Sequence, residues 1–279
     1  MGDLNKRTEH QQQPVSTQQP TATYKEGDKL IAPGVREKTL SSFRDFQALI
    51  SNKFNDTRRY IWRGQQCSNW KLETSLARRI RHKKSPAERI QKDQLDRFRQ
   101  AARGRRGTNP TKLIDNELWA LGQHFGLATP LLDWTVSPYV ALYFAFADPD
   151  HKEQTEYRGV FALQRPMVKR RTTEILKKEG ADSAKGVTFF EPDSDENSRV
   201  LSQRGLFTSS PIRASIDDWV AENFKKPTTD ILMKILVPNS DREDCLKMLN
   251  RMNINHLTLF PDLSGAAQFA NIHLDVLNY

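Results

Sequence analysis

The first candidate for chemistry is an arginine followed by a glycine at the end of an apolar stretch. In Trp62-Arg63-Gly64-Gln65, the guanidinium of Arg63 can reach into a cleft and hold a phosphate through two parallel hydrogen bonds. Gly64 carries no Cβ and therefore lets the backbone approach a neighbouring group closely. An arginine ion-paired at a strand end is an equally simple interpretation of this segment alone.

A carboxylate and two hydroxyls stand on alternate residues between an extended segment and an apolar helix. Asp133, Thr135 and Ser137 can position a sugar there or face the start of the helix. Ser137 is also expected to cap that helix, because Pro138 suits a first helical position. His124 ends the preceding helical segment and can act as a base, although a lone histidine in such a place is more often structural.

A third polar group, Gln203, lies in the segment from Ser198 to Phe207. Its neutral amide can hydrogen-bond a ribose hydroxyl or an adenine edge, but it cannot act as a base. The glycine-rich phosphate loops Gly-x-Gly-x-x-Gly and Gly-x-x-x-x-Gly-Lys do not occur in the sequence. Phosphoryl transfer on a P-loop and dinucleotide binding on a Rossmann fold are therefore not expected.

Rigid elements must hold these groups, and hydrophobic periodicity predicts several of them. Helices are predicted after a Ser41-Ser42 cap, after a Ser85-Pro86-Ala87-Glu88 capping box, at 113–125, after Ser137-Pro138, and near 215–224 and 240–252. Strands are predicted at 59–63, ending at Gly64, and at 129–134, 159–163, 188–190 and 231–237. The helix after Pro138 is apolar nearly all round and should be buried. Without a regular βαβ repeat, the pattern predicts an α+β domain with one mixed sheet and peripheral helices.

Composition bounds the class of protein. Of 279 residues, 37% are hydrophobic and 28% charged, and no apolar run reaches the roughly 18 residues of a membrane span. Residues 1–25 are rich in Gln, Thr and Pro, which predicts a disordered tail before a domain at 38–279. Cys67 and Cys245 lack metal-ligand spacing, so we expect free thiols, no metal and a soluble cytoplasmic protein.

The positive charge is concentrated in one region. Residues 58–112 carry a net charge of +13, whereas the rest of the chain carries −4. Such an asymmetry favours a polyanionic partner, either a nucleic acid or nucleotide phosphates, because neutralised phosphates release counterions. A solvated helix face is the simpler alternative. The candidate nucleic-acid contacts are Arg78, Arg79, Arg81, Arg103, Arg105 and Arg106.

Five motifs together resemble the FRG domain, which is named for a Phe/Tyr-Arg-Gly motif. They are Tyr60-x-Trp62-Arg63-Gly64-Gln65, Trp70-x-Leu72-x-x-Ser75-Leu76-x-Arg78, the stretch Leu121 to Ala147, Arg199-x-x-x-Gln203-x-Gly205-x-Phe207, and Leu259-Phe260-Pro261-Asp262-Leu263-x-Gly265. The resemblance spans roughly residues 40–270. The order of the motifs is also similar to that of the ADP-ribosyltransferase superfamily.

The resemblance implies an ADP-ribosyltransferase-like fold and an NAD-dependent transferase. Arg63, Asp133, Thr135 and Gln203 would then be catalytic, with Gln203 standing where the superfamily has a glutamate. The implied NAD contacts are Arg63, Gly64, Gln65, His124, Thr135 and Ser137. The family setting implies a toxin of a bacterial toxin-antitoxin or anti-phage system. Its expected partners are RNA in preference to DNA, and an antitoxin protein with a chaperone as a further partner.

Two other functions stay open at this point. The missing glutamate favours a catalytically inert module that binds RNA or a protein partner. An RNA nuclease would need an acid and a base, for which His124 and Asp133 are the candidates.

Overall fold

A computed structural model of the chain describes residues 28–54, 56–148, 155–180, 184–192 and 198–279. The predicted tail, residues 1–25, lies outside these ranges. The described residues form one eight-stranded sheet in the order β1-β2-β8-β5-β3-β4-β7-β6, with β2 parallel to β8 and the other neighbours antiparallel. The strands are β1 (Asp28–Ala32), β2 (Val35–Thr39), β3 (Tyr60–Gln65), β4 (Leu131–Thr135), β5 (Tyr157–Gln164), β6 (Thr188–Phe190), β7 (Gly205–Ser209) and β8 (Leu232–Pro238). The predicted α+β class with a single mixed sheet is confirmed.

Helices surround this sheet. They are α1 (Asp45–Lys53), α2 (Ser75–Ile80), α3 (Ala87–Ala101), α4 (Asp115–His124), α5 (Pro138–Phe146), α6 (Arg165–Glu179), α7 (Ser198–Ser202), α8 (Ile216–Asn223), α9 (Arg242–Arg251), α10 (His256–Leu259) and α11 (Leu263–Asp275). In the described ranges, no helix has the length and hydrophobicity needed to cross a membrane. Cys67 and Cys245 are free and buried.

The sheet is nearly divided at its centre. β3 pairs with β5 through six residue pairs but with β4 only through Trp62 and Thr135. On its other side, β4 pairs antiparallel with β7 through all five of its residues. Beyond the single Trp62–Thr135 pair, β3 and β4 form no further ladder pair, and the polar ends of both strands border the gap between them.

Two hydrophobic clusters cover the two faces of the sheet. On one face, α5 packs with Trp62 and with residues of α1 and α9. On the other face, Ile61 and Trp134 pack with Val168 of α6 and Trp219 of α8. Trp62 and Ile61 are both almost fully buried, as alternation along a strand with two covered faces requires.

The α5 helix follows its sequence closely. Its predicted burial is confirmed, since seven of its nine residues are buried. Ser137 is the N-cap and its Oγ accepts a hydrogen bond from the Val140 amide, with Pro138 in the first turn. This cap sets the direction in which the chain leaves β4 and enters the core.

Three local predictions are wrong. β3 does not stop at Gly64 but continues through Gln65, because Gly64 and Gln65 pair with Val160 and Gly159. Ser41 and Ser42 do not cap α1, whose N-cap is Arg44; instead the Ser42 amide donates to the Asp45 carboxylate. The capping box at Ser85 does not form, because α3 begins after Pro86 without a side-chain cap.

Candidate functional site

A cavity of about 1160 Å³ lies where β3 and β4 separate. It brings together seven of the residues that the sequence singled out for catalysis or cofactor binding. These are Arg63, Gly64, Gln65, His124, Asp133, Thr135 and Gln203. Ser137 does not line this cavity, and its hydroxyl is used as the cap of α5. The long-range packing of β3, β4, α4 and α7 therefore gathers segments that are up to 140 residues apart in the chain.

Arg63 links the two strands at the point of separation. Its Nη1 donates to the backbone carbonyl of Asp133 at 2.8 Å and lies 3.6 Å from Asp133 Oδ2. Its Nε is buried and has no hydrogen-bond partner among the described residues. Burial lowers the pKa of Arg63 and the Asp133 carboxylate opposes that shift. Arginine remains a cation at neutral pH in either case, so the site holds a permanent positive charge with an unused donor.

Gly64 allows β3 to lie directly against α5. A Cβ on this residue would come within 1.9 Å of the Ala141 carbonyl oxygen and 2.6 Å of the Ala145 amide nitrogen. The close approach predicted from the sequence is thus made to a helix backbone. The effect of Gly64 on the site is indirect. The close contact fixes the distance between β3 and α5, and so the position of the Arg63 side chain.

Asp133 is the carboxylate at the centre of the site. Its side chain is 60% exposed and its Oδ1 accepts a hydrogen bond from Gln123 Nε2 at 2.5 Å. Gln123 in turn accepts from the Thr129 hydroxyl, so its amide has a defined orientation. The sequence placed Gln123 within a motif but did not identify it as a site residue. Together Arg63 and Gln123 hold Asp133 at the cavity surface with its carboxylate accessible.

Thr135 and Gln203 lie at the cavity but are bonded to the protein. Thr135 is 3% exposed, and its hydroxyl donates to the Gln203 carbonyl at 2.7 Å and accepts from the Ser137 amide at 3.1 Å. The Gln203 side chain donates to the Leu259 carbonyl at 3.2 Å. These contacts tie β4 to Gln203, the residue that follows α7, and tie Gln203 to α10. Both groups therefore have a structural use.

Two residues that the sequence did not single out, Arg199 and His256, complete the far side of the cavity. Arg199 donates to Asp262 and Ser264, and its guanidinium lies over the Phe260 ring. His256 stacks on Phe260 at 4.1 Å between ring centroids. Arg199 belonged to a recognised motif, which was a usable signal. His256 carried no signal, because only the packing of α10 brings it to the cavity.

Both histidines at the cavity have lowered pKa values. Burial is the main cause for His124 and for His256, and the Arg199 cation lowers both further. Asp262 opposes the shift at both histidines, and Asp148 opposes it at His256. His256 Nδ1 lies 3.1 Å from the Tyr143 hydroxyl. The lowered pKa values favour the uncharged form of both rings at neutral pH, which suits a base or a hydrogen-bonding group better than a phosphate anchor.

The predicted nucleic-acid arginines divide into three groups. Arg78 and Arg81 line the large cavity, and Arg81 pairs with Glu73 at 2.6 Å. Arg79 lines a neighbouring cavity of about 270 Å³, as Arg78 also does. Arg103, Arg105 and Arg106 line neither one. Arg105 and Arg106 instead donate to the nearby backbone carbonyls of Ala101, the last residue of α3, and of Thr111.

Within the ranges that the structure describes, no group of three or more His, Cys, Asp or Glu side chains has the arrangement of a metal site.

The family model of the FRG domain matches residues 58–154, about a third of the chain. The matched segment contains Arg63, Gly64, Gln123, Asp133 and all of α5. It supports the FRG resemblance for this part of the chain. No curated protein and no solved structure matches the chain.

Proposed function

We propose that this FRG-domain-containing chain binds NAD in the large cavity and transfers ADP-ribose to nucleic acid, with RNA preferred over DNA. The observation that carries the proposal is Arg63, a cation at the point where β3 and β4 separate, whose buried Nε has no partner among the described residues. Buried donors of charged groups are normally hydrogen-bonded. A diphosphate oxygen would satisfy this donor through a charge-assisted bond.

The size and charge of the cavity fit an anionic dinucleotide. Its volume of about 1160 Å³ exceeds the ~300–1,000 Å³ usual for ligand pockets, which leaves room for two linked nucleosides. Among the described residues, six arginine or lysine side chains and four carboxylates line it. The cationic lining residues are Arg63, Lys71, Arg78, Arg81, Arg199 and Arg213. This excess of positive charge favours a ligand that carries phosphates.

Asp133 is the group we assign to the reaction. Transfer breaks the bond between nicotinamide and ribose, and positive charge develops on the sugar in the transition state. A carboxylate held beside that sugar stabilises this charge, and it costs no reorganisation when its orientation is already fixed. Gln123 and Arg63 provide that orientation. On the ADP-ribosyltransferase resemblance, Gln203 stands where the superfamily has a glutamate, and its amide is bonded to the Leu259 carbonyl. We therefore place the negative charge on Asp133 of β4. An ADP-ribosyltransferase-like fold is part of this proposal.

The proposal is tested by incubating the protein with radiolabelled NAD and separate pools of RNA, DNA and protein. We expect label on RNA, and we expect Arg63→Ala to weaken NAD binding by about tenfold to a hundredfold, the usual effect of losing a charged hydrogen bond. Arg251→Ala is the matched control, because Arg251 is exposed at the end of α9 and lines neither cavity. Thermal unfolding of each variant separates lost binding from lost fold. Wild-type protein that neither binds NAD nor labels any pool would overturn the proposal.

Two alternative functions have specific support. His124 and Asp133 line the same cavity, which an RNA nuclease with an acid and a base would require. The internal hydrogen bonds of Thr135 and Gln203 favour an inert RNA-binding or partner-binding module. The mass of the RNA product distinguishes all three, because transfer adds ADP-ribose, cleavage shortens the chain and simple binding leaves it unchanged.

The biological setting rests on the FRG resemblance alone. We propose a cytoplasmic toxin of a bacterial toxin-antitoxin or anti-phage system, held inactive by an antitoxin protein with a chaperone as a further partner. Growth after induction of wild type and of Arg63→Ala, with and without neighbouring genes, tests this setting.

A further inference from the structure

The smaller cavity lies beside the larger one, and the two share a wall of lining residues. It has a volume of about 270 Å³ and is bordered by α2, the end of α4 and β4. The residues that line both cavities are Arg63, Glu73, Arg78, Gln123 and Asp133. A molecule in the larger cavity and a molecule in the smaller one would therefore contact the same few side chains.

Asp133 occupies this common wall in a fixed position. Its carbonyl accepts from Arg63 and its carboxylate accepts from Gln123, yet 60% of its side chain stays exposed. A transfer reaction needs the donor carbon and the acceptor atom to approach the same catalytic group from two directions. A carboxylate open to two neighbouring cavities meets that requirement without any rearrangement of the backbone.

The lining of the smaller cavity combines cationic and apolar groups. Arg78 and Arg79 stand on α2 and are both exposed, and Arg78 is anchored through a 2.6 Å bond to the Glu73 carbonyl. Leu127 and Leu131 supply apolar surface. The Glu73 carboxylate is paired with Arg81, which reduces the negative charge of the wall. This combination fits a single nucleotide, with its base against the leucines and its phosphates near the arginines.

Size restricts the smaller cavity to part of a substrate. Its volume lies below the ~300 Å³ at which pockets for whole ligands usually begin. A base-paired duplex could place a base there only by flipping that base out of the stack, and this unstacking costs a few kcal/mol. A single-stranded segment avoids this cost.

We propose that the smaller cavity is the acceptor subsite and that it takes one nucleotide of single-stranded RNA. This inference rests on the proposed function. In the step, the bond between nicotinamide nitrogen and ribose C1′ breaks and its electron pair leaves with nicotinamide. A nucleotide oxygen or nitrogen forms the new bond to C1′, and its proton passes to the Asp133 carboxylate and then to water.

The test compares two activities of the full chain, NAD hydrolysis without RNA and ADP-ribose transfer to a short single-stranded RNA. We expect Arg79→Gln to lower the ratio of transferred ADP-ribose to released nicotinamide by about tenfold, the lower end of the effect of losing one charged contact. The salt dependence of RNA binding should also weaken by about one phosphate contact. Arg251→Gln is the control of equal charge change and should leave the ratio as in wild type.

The outcomes separate this inference from the function on which it rests. A wild-type ratio in Arg79→Gln would overturn the acceptor subsite while NAD chemistry remained. Labelling of duplex or protein in preference to single-stranded RNA would overturn it as well. If wild type released no nicotinamide and bound no NAD, the proposed function would fail first and the acceptor subsite with it.

Discussion

The two walls of the large cavity differ in how far the fold uses their polar groups. On the β3 wall (Arg63, Gln65 and Gln66), Arg63 Nε and the side-chain oxygens of both glutamines are buried without a partner among the described residues. On the α7 wall (Thr135, Arg199 and Gln203), the polar side chains are bonded to other parts of the protein. The β3 wall thus keeps unpaired polar atoms among the described residues, whereas the α7 wall uses its polar side chains in bonds within the protein.

The difference assigns the walls to different tasks. A buried polar group without a partner costs about 1–3 kcal/mol, so a ligand that supplies partners to the β3 wall recovers that cost as affinity. The bonds of the α7 wall instead hold β4, the segment that contains α7, and α10 in fixed positions relative to one another. Variants of the β3 wall should therefore change binding, and variants of the α7 wall should change stability.

The largest effect is expected at Gly64, which sets the position of the β3 wall. In Gly64→Ala the new methyl group would meet two backbone atoms of α5, at 1.9 and 2.6 Å, and no side-chain rotation can relieve them. We expect a loss of at least about 3 kcal/mol in unfolding free energy, the upper range for overpacking, measured by urea denaturation.

Gly104→Ala is the control for the Gly64 variant. Among the described residues, no heavy atom lies within 4 Å of a Cβ added to Gly104, whose φ is +70°, so only the backbone cost of about 1 kcal/mol applies. Equal stability losses in the two variants would show that the contact between β3 and α5 is looser than the structure has it.

A smaller effect is expected on the α7 wall at Thr135. Thr135→Val keeps the shape of the side chain but leaves the Gln203 carbonyl and the Ser137 amide without their partner. We expect a cost of about 1–3 kcal/mol in unfolding free energy, with NAD affinity retained. Calorimetric titration with NAD checks the second part. If Thr135→Val lost NAD affinity at unchanged stability, Thr135 would belong with the β3 wall. The proposed difference between the two walls would then be wrong.

Local sequence signals identified much of the framework around the site. The apolar run after Ser137-Pro138 predicted the buried α5, and β6 was predicted at its observed bounds, 188–190. Strands β1, β2 and β7 were missed. Among the described strands β1 pairs with β2 alone. Its neighbouring residues Leu30 and Ile31 are both exposed, so β1 lacks the alternation that marks a half-buried strand.

The site itself was less predictable than the framework. The motif around Arg63 and the Asp133 segment each place their reactive side chains close together in the sequence. Both segments line the cavity, as expected. His256 is there because α10 packs beside α7, a contact between segments more than 50 residues apart. The bonding of Thr135 to Gln203 depends on the same packing. Sequence types therefore indicated which groups could act, whereas only the tertiary contacts decided which remained available.

The smallest effect is expected at Asp262, which supports the α7 wall from the surface through Arg199. The Gly265 amide, the Ser264 hydroxyl and the Arg199 guanidinium all donate to its carboxylate and hold its pKa well below its usual range. A carboxylate with a lowered folded pKa stabilises the fold above its unfolded pKa of about 4, and this contribution disappears as pH falls through the folded value.

Asp262→Asn should therefore lower the melting temperature at pH 7, and its difference from wild type should narrow steadily as the pH is taken from 5 towards 2. NAD affinity at pH 7 should be retained, because Asp262 does not line the cavity and its carboxylate is bonded to Arg199, Ser264 and Gly265. Melting curves across this pH range, paired with one NAD titration at pH 7, measure both. A variant that melts like wild type at pH 7 but binds NAD poorly would mean that Arg199 contacts the ligand, and the α7 wall would then share the task assigned to the β3 wall.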